Sequence, residues 1–377
     1  MKIVCDNKIP FLRGALEPFA EVVYLPGAQT TPEVVRDADA LITRTRTICN
    51  ETLLAGSSVK AIATATIGFD HIDTAWCEAH GIAWSNAPGC NSWSVKQYIS
   101  SVLAVLSQRH GLQLGSMTLG VVGVGNVGSK VADVGCALGM RVLLNDPPRE
   151  RAEGPEAFVS LETLLAQSDI VTVHVPLTRS GADATWHLFD AARLAQMRPS
   201  QILINSSRGP VVDNAALKDA LKRGALKAAV LDVWEGEPDL DPELVDLLDI
   251  STPHIAGYSA DGKANGTTMS VRYLASRLGL PLTGWTASGV PAPEQPLHFT
   301  LDASGKTPQE VLTEAILYTY DVRRDSDALR SDLGGFERLR GDYMVRREPS
   351  AFTLTLLHGT EDLKDRLETI GFKVNTE

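Results

Sequence analysis

The sequence predicts an α/β protein built from two Rossmann-like, doubly wound parallel-sheet domains and a small C-terminal α+β domain. Three observations lead there. Short strand-like runs alternate with helical stretches from the N-terminus to about position 253. An apolar run at 118–123 feeds directly into a glycine-rich turn, and a stretch rich in Pro, Gly, Ser and Thr at 281–296 reads as a linker. At 377 residues the chain also exceeds what one ordinary core carries.

Residues 2–5, 21–25, 40–43, 61–64 and 81–85 read as the strands of the first unit. Helices fall between them, for example at 31–37, where Pro32 suits a first helical turn. A longer helix at 92–109 leads out of this unit. The second unit has strands at 118–123, 141–145, 170–174, 201–206 and 228–233, and closes near Pro253. A helix at 262–278 is expected to return to the first unit, which makes that unit discontinuous. Beyond the linker come a strand (298–301), a helix (307–318), a strand (351–357), a helix (361–371) and a last strand (372–374). The expected domains are therefore 1–92 with 257–285, then 93–256, then 286–377.

Charge narrows the function. The net charge of −11 is spread over mixed acidic and basic residues, which disfavours a nucleic-acid backbone as partner. The N-terminus lacks the apolar core of a signal peptide, and no run is long enough to span a bilayer, so a cytoplasmic protein is expected. Cys5, Cys49, Cys77, Cys90 and Cys136 are scattered without metal-ligand spacing; buried, reduced thiols and no metal are expected.

Gly123-Val-Gly125-Asn126-Val127-Gly128 has the form of a dinucleotide-binding turn. The first glycine permits the tight turn, the second lets the pyrophosphate approach the backbone, and the third lets helix and strand pack closely. The helix that follows aims its N-terminus at the phosphates. Asp146 lies 18 residues beyond Gly128 at the end of the next strand, where a carboxylate bonds ribose hydroxyls and repels a 2′-phosphate. NAD is the cofactor this implies. The competing reading of Asp146 is a turn aspartate before Pro147-Pro148.

Three more segments end strands of the same unit: Asn205-Ser206-Ser207-Arg208, Asp232-Val-Trp-Glu-Gly-Glu237 and Pro253-His254-Ile-Ala-Gly257-Tyr258. In a doubly wound sheet the carboxyl ends of strands line the ligand crevice, so an arginine, a glutamate and a histidine converge. Oxidising a 2-hydroxyacid needs a base for the hydroxyl proton, and His254 suits that task. Glu237 is suited to orient the imidazole, and Arg208 to grip a carboxylate. Taken singly, each residue is equally compatible with an ordinary structural role; the case rests on their convergence.

From Lys2 to about Leu278 the chain resembles the D-isomer-specific 2-hydroxyacid dehydrogenase family. The resemblance implies that Arg208, Glu237 and His254 are catalytic, and that His174, Val175, Ser206, Ser207, Arg208, Asp232 and Gly257 contact the cofactor. Residues 87–91, 233–238, 253–258, 320–325 and 339–348 are similar to a branch of that family whose substrate is a phosphorylated 2-hydroxyacid and whose C-terminal domain dimerises. That resemblance implies substrate contacts at Thr45, Thr66 and Tyr258, and a homodimer formed through the C-terminal domain. A phosphate needs further cations; Arg44, at the end of an early strand, and Arg346, read as exposed, are expected to supply them. Relatives acting on 3-phosphoglycerate or on hydroxypyruvate and glyoxylate are the alternative, and an NADH-sensing corepressor is the non-enzymatic one.

Overall fold

The computed structural model of the chain describes residues 1–376. It divides into two compact units, residues 1–91 with 259–292, and residues 92–258 with the segment from Pro293 onward.

The first unit is a parallel sheet of β1 (Lys2–Asp6), β2 (Glu21–Leu25), β3 (Ala40–Thr43), β4 (Ala61–Thr64) and β5 (Ala83–Ser85), in the order β2-β1-β3-β4-β5. Every residue of β3 and β4 is buried, as expected of central parallel strands covered on both faces. Helix Ala260–Leu278 returns to pack against β4 and joins Val271, Leu274 and Ala275 to Ile3, Ile42 and Ala63 in one core. Ser259 caps it by accepting the Gly262 N–H at 2.9 Å, and Gly279 ends it in the left-handed conformation.

The second unit repeats the topology with one strand more. Its strands are β6 (Thr118–Val122), β7 (Arg141–Asn145), β8 (Ile170–Val173), β9 (Ile202–Asn205), β10 (Ala228–Leu231) and β11 (Ile250–Ser251). They are parallel, in the order β11-β10-β9-β8-β6-β7. The chain steps from β6 out to β7 and then back to β8 on the other side, so the switch point lies between β6 and β8. Alternate side chains serve two cores: Ile202, Ile204 and Val230 face one way, Leu203, Ala229 and Leu231 the other.

The C-terminal segment forms its own parallel sheet from β12 (His298–Asp302), β13 (Thr353–Leu357) and β14 (Lys373–Thr376), β13 in the middle. Its hydrophobic residues nevertheless join the first of those two cores: Leu354, Leu356, Leu363 and Phe372 cluster with Val102, Leu106, Val121 and Ile204. Helix Ser92–His110 mediates this, and its buried polar side chains show how. Lys96 donates to the Thr369 carbonyl, Gln97 to the Arg347 carbonyl at 2.9 Å, and Ser101 accepts the Val322 N–H at 3.0 Å. Polar residues that look out of place on an apolar helix thus each find a partner in the C-terminal segment, although Gln97 Oε1 has none among the described residues.

All five cysteines are free; four are buried as expected, but Cys136 lies exposed on helix Gly128–Ala137. Among the described residues no helix is long and apolar enough to cross a membrane, and no cluster of His, Cys, Asp or Glu has the makings of a metal site.

Candidate active site

The glycine turn follows β6 at the switch point. Gly123 has φ +85°, and a Cβ there would stand 2.7 Å from the His174 carbonyl oxygen; a Cβ on Gly128 would stand 1.9 Å from the Gly123 carbonyl oxygen. Those two glycines are required by packing. Gly125 differs: a Cβ there meets nothing within 4 Å, which leaves the backbone open to an incoming pyrophosphate. No side chain caps helix Gly128–Ala137 at Val127; the Ser129 N–H is taken by the Gly125 carbonyl at 3.1 Å, and the positive end of the helix faces the turn. Asn126 lies in the same turn. The residues present therefore fit a dinucleotide.

Asp146 ends β7 and ties it to that turn. One carboxylate oxygen accepts the Val124 N–H at 2.8 Å and the other caps the next helix through the Arg149 N–H at 3.1 Å. The geometry is that of the turn aspartate, and each carboxylate oxygen keeps a further lone pair open to a hydroxyl. At the end of β8, His174 shares a 2.9 Å hydrogen bond with Thr172, and burial drives its imidazole down to about 3, so it is neutral. Val175 beside it walls the glycine turn. After β9, Ser207 donates to Asn205 Oδ1 at 2.8 Å, while the Ser206 hydroxyl is buried with no partner among the described residues.

The catalytic candidates follow the next strands along. His254 Nδ1 lies 2.8 Å from Glu237 Oε2, and Glu237 Oε1 accepts the Trp234 N–H at 2.9 Å. Burial pushes the Glu237 carboxyl up, but the hydrogen bond and charge of His254 and the Trp234 N–H outweigh it, and the net direction is down. An ionised carboxylate can only accept, so Nδ1 carries the proton and Nε2 presents its lone pair. Arg208 is half-buried on the turn after β9, with Nη1 on the Ser207 carbonyl at 2.8 Å. The next residue locks that turn to the Glu237 segment, since a Cβ on Gly209 would meet the Trp234 carbonyl oxygen at 1.9 Å.

His254 itself has φ +55°, unfavourable for a residue with a side chain, so its loop has to be held. Asp232 does part of this. The resemblance made it a cofactor contact, whereas the structure buries it to 1% exposure and spends its carboxylate on the loop. It accepts from the Thr252 hydroxyl at 2.6 Å and from the N–H groups of Ile255 at 2.8 Å and Ala256 at 2.9 Å. Burial pushes its carboxyl above the usual range despite the His254 charge and these donors. Tyr98 and Trp234 add bonds to the Thr252 hydroxyl and carbonyl at 2.8 and 3.0 Å. Gly257 follows in the same loop.

Among the substrate candidates of the first unit, Thr45 is exposed and Arg44 half-buried, with Nη1 3.4 Å from the Lys8 carbonyl. Thr66 bonds Thr64 at 2.8 Å and donates to the Gly68 carbonyl at 2.9 Å. Tyr258, in the second unit, accepts from Arg340 Nη2 at 2.9 Å. Arg346 requires a correction: it is 1% exposed, wrapped by aromatic rings and backbone carbonyls, and presents no surface to an external phosphate. The sequence reading missed Arg340, whose charge reaches Glu237 and whose buried Nε has no partner among the described residues. The signal was present, because Arg340 sits inside the arginine-rich stretch at 339–348.

A doubly wound sheet with a glycine turn at its switch point, beside a histidine–carboxylate pair, defines an NAD-dependent dehydrogenase. The family described as the D-isomer specific 2-hydroxyacid dehydrogenase NAD binding domain matches residues 94–256, and a domain family of unknown function (DUF3410) matches 293–371. An erythronate-4-phosphate dehydrogenase of Bacteroides fragilis is 52% identical over 357 residues, covering 94% of this chain and 99% of that protein. One of Proteus mirabilis is 44% identical, covering 99% of both. Among solved structures, D-lactate dehydrogenase from Aquifex aeolicus with NAD and lactic acid aligns with TM-score 0.62 at 27% identity, covering 78% of this chain and all of that one. The chain belongs to the D-isomer specific 2-hydroxyacid dehydrogenases, and within them to the family of erythronate-4-phosphate dehydrogenases.

Proposed function

We propose that the chain oxidises 4-phospho-D-erythronate to 3-hydroxy-2-oxo-4-phosphooxybutanoate with NAD, a step toward pyridoxal 5′-phosphate. The observation that carries this reading is the His254–Glu237 pair at 2.8 Å, held at the carboxyl end of the nucleotide-binding sheet. His254 Nε2 takes the C2 hydroxyl proton, and Glu237 stabilises the imidazolium that forms. Arg208 holds the substrate carboxylate and polarises the developing carbonyl. The glycine turn and Asp146 would hold NAD, which when bound would supply the hydride acceptor. Thr45, Thr66 and Tyr258 contact the substrate, and Arg44 and Arg340 are the cations this reading assigns to the phosphate.

The same reading makes the protein a cytoplasmic homodimer joined through the C-terminal segment, supported by resemblance and tested by its mass in solution. The activity is tested by following NADH on mixing protein and NAD with 4-phosphoerythronate, 3-phosphoglycerate and D-glycerate in parallel, with and without a 2-oxoacid to reoxidise retained cofactor. Turnover of 4-phosphoerythronate alone is expected. Preference for another acid would refute the substrate, and turnover of none would refute the reading.

A further inference from the structure

The loop carrying His254 is gripped from two sides. Asp232 takes the N–H groups of Ile255 and Ala256. From the C-terminal segment, Arg346 Nη2 donates to the carbonyls of the same two residues, at 3.1 Å to Ile255 and 2.6 Å to Ala256. Ser94 completes the grip: it accepts from the same nitrogen and donates to the Ala256 carbonyl at 2.9 Å. We propose that Arg346 is a positioning residue for catalysis: its buried guanidinium fixes the peptides directly after His254 and thereby aims the imidazole.

Three features support this over a role in packing alone. A buried cation is expensive unless its donors are used, and an apolar side chain fills the same volume without that cost. Nη2 is spent on the two carbonyls next to His254, whose own backbone lies in the left-handed region, while Nε has no partner among the described residues. The guanidinium is also held in place from behind. It lies 4.5 Å over the Tyr320 ring, and Nη1 donates to the Tyr343 hydroxyl at 3.3 Å. Tyr343 and Tyr320 both donate to Asp325, at 2.7 and 2.6 Å. That carboxylate provides the counter-charge, and the hydroxyls relay its orientation to the arginine. Tyr343 in addition meets Tyr258 edge-on at 5.9 Å, so the network borders the site a second time. The C-terminal segment thus contributes to the geometry of a reaction whose reacting groups all lie outside it.

The inference rests on the proposed role of His254, and the test separates the two. Arg346→Lys keeps a cation but loses the fork, Arg346→Met loses both, and Tyr343→Phe leaves the fork but releases its support. With 4-phosphoerythronate and NAD, kcat is expected to fall about tenfold or more in the two Arg346 variants and several-fold in Tyr343→Phe. KM and the Kd for NADH should stay within about twofold. Methylguanidinium is expected to restore part of kcat to Arg346→Ala and none to Tyr343→Phe. The imidazole ¹⁵N–¹H resonances of His254, assigned with His254→Gln, should shift in Arg346→Lys. If Arg346→Met does not fold, the lysine and Tyr343→Phe variants decide. Folded variants with kcat within twofold of wild type and unmoved His254 resonances would overturn the inference while leaving the dehydrogenase reading intact. Absent wild-type turnover would overturn the dehydrogenase reading, and the resonances alone would then decide whether Arg346 aims the ring.

Discussion

Replacing Glu237 by Gln isolates the charge that faces His254. The side chain keeps its shape, and its amide oxygen still accepts the Trp234 N–H that now bonds Glu237 at 2.9 Å. What disappears is the carboxylate 2.8 Å from Nδ1. For unit charges about 4 Å apart at an effective dielectric near 20, the attraction is about 4 kcal/mol. The side chains of His254 and Glu237 are 32% and 21% exposed, so solvent screens part of it, and about half is a fair figure. A loss of ~2 kcal/mol from the state in which His254 has taken the proton slows oxidation roughly 30-fold. The acid limb of the kcat/KM profile should move to lower pH, because the imidazolium loses its partner. Stability gives an independent check. The Glu237 carboxyl is held below its usual range, so it stabilises the fold above the unfolded value, and that contribution is lost as pH falls through the folded one. The variant should therefore melt lower than wild type at pH 7 and converge with it in acid. Steady-state kinetics across pH and thermal melts measure both. Turnover within threefold of wild type with an unmoved acid limb would refute the role given to Glu237.

Gly125→Ala should fold with wild-type stability yet bind NADH at least tenfold more weakly, since its Cβ meets only the open space kept for the pyrophosphate. Gly128→Ala should instead lose about 2 kcal/mol or more, because its Cβ lands 1.9 Å from a carbonyl oxygen; melts and NADH titration separate the two. Burial holds Lys96 down to about 8 against an ordinary 10.5, so its contribution to stability is present above 10.5 and lost as pH falls toward 8. At neutral pH the buried ammonium costs up to about 3 kcal/mol, and Lys96→Met should flatten the rise in denaturation midpoint between pH 8 and 10. Arg340→Met should raise KM for 4-phosphoerythronate about tenfold with a smaller effect on kcat, the loss expected of one charge-assisted contact; equal KM values would exclude it from the phosphate site.

Much of the fold was legible because it is repetitive. Buried parallel strands such as 40–43 and 61–64 are continuous apolar runs, and each following turn carries glycine or a polar residue with an evident task. The turn at 123–128, Asp146, Glu237 and His254 could be singled out as candidates because strand ends are where such a sheet keeps its ligands. The C-terminal segment was less legible. Helix Val322–Ser331 carries Arg323, Arg324, Asp325, Asp327 and Arg330 with only Val322 and Leu329 as large buried apolar residues, so hydrophobic periodicity barely registers. Helix Phe336–Gly341 is short and ends in glycine, so it leaves no clear periodic signal either. Arg346 was misjudged for a related cause: an arginine among charged neighbours is ordinarily on the surface. Its burial depends on Tyr320, Tyr343 and Asp325, brought to it by long-range packing that no local pattern encodes.

That packing explains why the C-terminal segment cannot be regarded as an appendage. Its apolar side chains share a core with helix Ser92–His110 and with one face of the nucleotide-binding sheet. The polar residues of that helix, Lys96, Gln97 and Ser101, find their partners in the segment, and without it they would be buried unpaired or exposed on an apolar face. The same helix bears Ser94, which meets Arg346, and Tyr98, which bonds Thr252 in the loop before His254. One helix therefore links the segment to the loop carrying His254 at one end and to the core along its length. The cost of a buried cation in such a place is offset by the carbonyls, hydroxyls and aromatic face packed against it. A residue at φ +55° also has to be held, so the contacts that stabilise this loop are the ones on which the proposed role of His254 depends.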